Sequence, residues 1–404
     1  MSYIFPILAF MYLHFLFVVP NEIFQIGLGS FSVLALCPLI GLFVAFVMVG
    51  RLASRYPAYS SFSECVNASS VIAPFKLWMV FGGISLLVAL SPYLVRVVII
   101  VNTLLQVPFL LALGLVGLLV LVIGYFIVSR WLLWSSAVVV VFAALFSVLI
   151  FVDGVPAFVA NAHILNLFGS TKISLFGDSY RTIRYVSVSC MYAGLFMSYP
   201  FAELLFGMVR SGRGLVWLLA VGFLSSLICF VGFYATVYGL KSDAVQEVTD
   251  VYFSYRFASK DYGGIILVLL LVTIIGVVMV GILAALFYTK MVVIGEKFKS
   301  WLYGVACPVL GIILSLGIDV ESFRWWQQEG VFWYSSFLVI TLMASLLFSF
   351  SRRTQWVLCA LSLLVAGIFA TLKGLGVFFT IDILQFFMLI LQVFFVLVAL
   401  LFHG

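Results

Sequence analysis

The sequence predicts an all-α polytopic membrane protein of about twelve membrane helices, the first ten arranged as two halves of five. Three observations carry this. The 404 residues are 66% hydrophobic and only 8% charged, more apolar surface than a water-soluble core of that size could hide. Apolar stretches long enough to span a bilayer, which takes about 20 residues, follow one another with short basic breaks between them. The first and sixth stretches are each interrupted by a proline with an acid close behind: Pro20 with Glu22, and Pro200 with Glu203.

The expected spans are approximately 4–28, 31–51, 73–103, 109–127, 131–152, 186–209, 213–239, 264–290, 300–318, 331–350, 355–373 and 376–402. The first follows directly after Met1-Ser2-Tyr3, with no basic leader and no small-residue cleavage site. It is expected as a retained helix, not a signal peptide. The third is too long for a straight span. It is tilted, or it begins as an interfacial helix near Lys76.

Short basic clusters set the orientation: Arg51 and Arg55, Arg130, Arg210 and Arg213, Lys297 and Lys299, Arg352 and Arg353. Placing these on the inside puts the N-terminus in the cytoplasm. Most of the bases left outside fall in the long loops 153–185 and 240–263, and long loops weigh less in this rule. The second loop also carries Asp243, Glu247, Asp250 and Asp261. The net charge of +6 is therefore explained by membrane orientation and needs no nucleic-acid partner. Cys37, Cys190, Cys229, Cys307 and Cys359 fall in apolar spans and Cys65 in a loop. None forms a CxxC pair, so all are read as packing residues.

Spans one and six are separated by four others, so they occupy corresponding places in two five-helix halves. Matched interruptions of this kind point to a binding site at a repeat interface. Breaking a helix frees amides and carbonyls to bind a carboxylate, an ammonium or an ion, and the half-helix dipoles add to this. Simple kinks at the two prolines are the plainer alternative.

Glu203 is the leading site residue. A carboxylate at membrane depth costs roughly 2.5–3.5 kcal/mol on insertion scales, which marks it as functional by default. It is suited to hold a substrate ammonium or to carry a proton; a structural hydrogen bond to the broken backbone is the alternative. Arg96 is the natural counter-charge, for Glu203 or for a substrate carboxylate, unless it snorkels from one helix end. Ser198, Tyr199 and Pro200 form the turn before Glu203 and offer hydrogen-bonding groups to a ligand. Pro20, Asn21 and Glu22 either line the first break or simply end the first helix. His14, His163 and His403 are scattered, so neither a metal site nor a catalytic group is expected. No nucleotide or phosphate fingerprint is present, and no cofactor is expected.

Three short motifs carry a resemblance. They are Gly50-Arg-Leu-Ala-Ser-Arg-Tyr-Pro57, then Arg96 with Leu104-Leu-Gln-Val-Pro108, then Tyr199-Pro-Phe-Ala-Glu203. In order and spacing the chain resembles the spore germination permeases, the B subunit of nutrient germinant receptors, within the amino acid–polyamine–organocation superfamily. The similarity covers about residues 1–353, with 1–152 as first repeat and 186–353 as second. The resemblance implies a ten-helix inverted-repeat transporter core with helices one and six broken at mid-membrane. It further implies a small germinant, typically an amino acid, bound in the spore inner membrane or bacterial cytoplasmic membrane. The implied partners are an A-type membrane subunit and a C-type lipoprotein. Residues 354–404 would be two additional peripheral C-terminal helices. A proton-coupled secondary amino-acid transporter is the alternative, and an enzyme is not expected.

Overall fold

A computed structural model describes residues 7, 29–62, 64–65, 98, 101–102, 106–126, 179–197, 199–216, 218–220, 222, 344–345, 347–348, 350–375 and 381–402. Among these the regular structure is helical, with no strand. The elements are α1 (Gly29–Arg55), α2 (Phe109–Phe126), α3 (Ser179–Phe196), α4 (Tyr199–Arg210), α5 (Arg352–Gly374) and α6 (Ile381–Leu401). They correspond to the expected segments 31–51, 109–127, 186–209, 355–373 and 376–402. The expected segments 131–152, 264–290 and 300–318 lie outside the described residues, as do most of 4–28, 73–103, 213–239 and 331–350.

One described helix, Leu36–Arg55, is long and apolar enough to cross a membrane. The pair Tyr185–Phe196 and Phe201–Arg210 passes the same test together, but is bent by 79° at its break. Helix α1 continues one turn past the expected end at residue 51. Nothing in Arg51-Leu-Ala-Ser-Arg55 breaks a helix, and an arginine at a span's end can reach to the interface. The stop comes from Pro57, which disfavours helical geometry at Tyr56. Helix α3 begins at Ser179, so Arg181 and Arg184 belong to its first two turns and not to the loop expected over 153–185.

Cys37, Gly41, Ala45, Val49 and Ala53 recur every fourth residue along α1, and all five are buried. This small-residue stripe meets α3 and α4. Cys37 Sγ donates to the Tyr185 carbonyl at 3.6 Å. Gly41 lies against Ser189, Tyr192 and Ala193, and Gly50 faces Val209. Numbers rise together on both sides, so α1 and α3 run parallel, and the end of α4 lies beside the end of α1. Helix α6 packs on α3, and α5 packs on α6.

The start of α5 is capped by Ser351, whose Oγ accepts from the Thr354 amide at 3.2 Å. Gln355 then donates through Nε2 to the Phe350 carbonyl at 2.7 Å. Phe350, Leu358 and Val396 form a small core with Ala344 between these helices.

The outward faces are as apolar as the inward ones. Leu36, Ile40, Phe43, Val44 and Val47 are exposed on α1, and Phe387, Ile390, Val393, Phe394 and Leu397 on α6. Helices apolar on every face suit a surrounding of hydrocarbon or of other apolar side chains.

Candidate functional site

The candidate site is the break between α3 and α4. The last bond of α3 runs from the Met197 amide to the Ala193 carbonyl at 2.9 Å. Pro200 then has no N–H to continue the ladder, and it stands in the first turn of α4, where a missing donor costs nothing. The chain therefore restarts as a new helix in a new direction. The break is pinned by aromatics. Phe196 and Phe201, both fully buried, meet edge to face with centroids 5.5 Å apart.

Glu203 lies just past the first turn of α4 and is half-buried. Its neighbours Ala202, Leu205 and Phe206 are fully buried, so the carboxylate is carried on an otherwise apolar half-helix. The positive end of the helix dipole is one turn away. On the preceding helix Ser187 and Ser189 are buried polar residues. The arrangement offers an acid beside an interrupted backbone, the combination that can hold an ammonium group or a proton.

Tyr199, Pro200 and Glu203 are thus brought into the start of α4. Ser198, Arg96, Pro20, Asn21 and Glu22 lie outside the described residues, and so does any meeting of the first and sixth spans. Among the described residues no three His, Cys, Asp or Glu side chains gather to hold a metal ion.

The Val107-Pro108 motif is a helix junction. Gln106 takes a left-handed conformation, φ 52°, and Pro108 offers its carbonyl to the Leu111 and Ala112 amides at the start of α2. Asn102 Nδ2 donates to the Val107 carbonyl across this turn.

The sequence reading missed the order in segment 56–65. Its signal was present: Ser61-Phe-Ser-Glu64 has the spacing of a helix-capping motif. The Glu64 amide donates to Ser61 Oγ at 3.1 Å, and Ser60 donates to Glu64 Oε2 through both N (2.9 Å) and Oγ (2.7 Å).

No protein-family model matches the chain, and no curated protein matches it.

Proposed function

We propose that the chain is a multi-pass membrane protein that binds a small nutrient, an amino acid by chemical class, at the α3–α4 break. On this reading it serves as the membrane subunit of a spore germinant receptor and works with an A-type membrane subunit and a C-type lipoprotein. The observation that carries the reading is the 79° break with Glu203 on its second arm. A proline-started half-helix bearing an acid inside an apolar span is suited to binding. The all-round apolar helices support a bilayer setting.

The contacts of Arg210 with Tyr56 and Tyr59 bring the Arg51–Arg55 end and the Arg210–Arg213 end to one side. That supports a cytoplasmic placement for this side and, with α1 as second span, for the N-terminus.

The test is equilibrium binding of a panel of labelled amino acids to the purified full chain in lipid nanodiscs. Saturable binding of at least one is expected. Glu203→Gln is expected to weaken it about tenfold or more, a change of about 1.4 kcal/mol, at unchanged abundance. Equal binding by that variant, or no binding by the parent chain, would overturn the proposal. The same acid suits a proton-coupled secondary amino-acid transporter. Accumulation of label inside proteoliposomes, dependent on a pH gradient, would favour that second reading over the receptor.

A further inference from the structure

Segment 56–65 is folded against the end of α4, and one side chain fastens it. Arg210, the last residue of α4, donates from Nη2 to the Tyr56 carbonyl and to the Tyr59 carbonyl, each at 2.7 Å. Both acceptors lie just past the end of α1, and the Tyr56 carbonyl also accepts from the Tyr59 amide at 3.3 Å. A guanidinium with several donors in a fixed plane can satisfy two such oxygens at once.

The contact is backed by packing. The Arg210 guanidinium lies over the Phe206 ring, 5.4 Å from its centroid. Phe206 meets Phe62 edge-on at 6.3 Å, and both rings are fully buried. Cys65 is fully buried beside them. The segment is also braced from within by the Ser60, Ser61 and Glu64 bonds and by the Cys65 amide on the Ser61 carbonyl at 3.1 Å.

Helix α4 is a short arm joined to α3 at a bend. An arm fixed at its far end cannot swing about its near end. We propose that Arg210 is a latch that ties the second arm of the broken helix to the α1 terminus, so that α4 reorients only when the bonds to Tyr56 and Tyr59 part. The inference rests on the break being ligand-responsive and adds the element that must release when it responds. It also says what release exposes: Phe62, which packs on Phe206 of the latched arm, and with it the buried Cys65 three residues on, which lies within reach of the Arg210 charge.

Cys65 is a built-in reporter of that release. The full chain in native membranes is treated with N-ethylmaleimide, and modification of each cysteine is followed by mass spectrometry. Cys65 is expected to react slowly in the parent chain. Arg210→Gln should speed its modification about tenfold or more, as a change of about 1.4 kcal/mol in the opening equilibrium would do. Arg210→Lys, with a compact point charge and no planar fork, should fall between the two. Fast modification in the parent chain, or an unchanged rate in Arg210→Gln at normal abundance, would overturn the latch. Where Arg210→Gln fails to accumulate, amide hydrogen exchange on the parent chain decides. The Glu64 and Cys65 amides should exchange as slowly as those of α1, and exchange at open-loop rates sinks the proposal. No ligand enters either measurement, so a failed amino-acid binding experiment and a failed latch experiment are told apart.

Discussion

Gly41 of α1 lies directly on the backbone of Ala193 in α3. A Cβ placed on Gly41 would stand 2.6 Å from the Ala193 nitrogen and 2.8 Å from the Ser189 carbonyl oxygen. Backbone atoms of a helix cannot step aside as a side chain can. Gly41→Ala should therefore force the two helices apart, at a cost of about 1–3 kcal/mol typical of overpacking. Gly50→Ala is the control, because its nearest neighbour would be Val209 Cγ2 at 3.8 Å, an ordinary contact. Thermal unfolding of the purified variants in detergent should show a clear drop for the first and none for the second.

The bend itself can be measured. With 1.5 Å per residue, Val186 and Ser211 would stand about 37 Å apart in a straight helix and about 29 Å apart at the observed angle. Pro200→Leu restores an N–H able to donate to the Phe196 carbonyl. Spin labels at 186 and 211 should report the shorter distance in the parent chain and a longer one in this variant. Binding of the amino acid should weaken about tenfold at equal abundance.

Cys65 gives a pH dependence whose sign follows from its burial. Burial pushes its thiol up from 9.0 to about 11, against a smaller downward pull from the Arg210 charge. The folded chain thus keeps a proton that the unfolded chain releases near pH 9. The stabilising contribution is complete below pH 9 and disappears as pH rises toward 11. The unfolding temperature of the parent chain should fall more steeply over that window than that of Cys65→Ser.

Gln106 holds a left-handed backbone that costs a non-glycine residue about 1–2 kcal/mol. Gln106→Gly should remove most of this and raise the unfolding temperature slightly. A fall would show that the glutamine side chain has a role the turn geometry does not reveal.

Ser362 is fully buried on the inward face of α5, and its Oγ has no hydrogen-bond partner among the described residues. Removing a desolvated, unmatched hydroxyl should be neutral or stabilising by about 1 kcal/mol. Ser362→Ala is expected to accumulate normally and unfold at the same or a higher temperature. A marked loss of stability or function would mean that the hydroxyl is used.

The positions of α1, α2, α5 and α6 were legible because each is a run of apolar residues bounded by charges or turns. The break before Glu203 was legible for a local reason: Pro200 cannot donate, so the ladder must stop. The size of the bend was not legible, because it depends on Phe196 meeting Phe201 across the gap. Segment 56–65 lay between expected spans, with Cys65 read as a loop residue, for a similar reason. The Ser61 and Glu64 spacing announces its local turn, but its fastening to Arg210, more than 150 residues further along, is announced by no local pattern. The small-residue stripe from Cys37 to Ala53 could have been found by its spacing alone, and it names the face of α1 that α3 covers.

That shared direction of α1 and α3 sets a rule of parity. Two spans that point the same way leave and enter the bilayer on opposite sides. Were both to span the membrane, as the proposed function has it, the chain would have to change sides an odd number of times between residues 56 and 178. One or three traverses satisfy this; two or four do not. Tagging that stretch from each side of the membrane would therefore fix the topology of the front half of the chain.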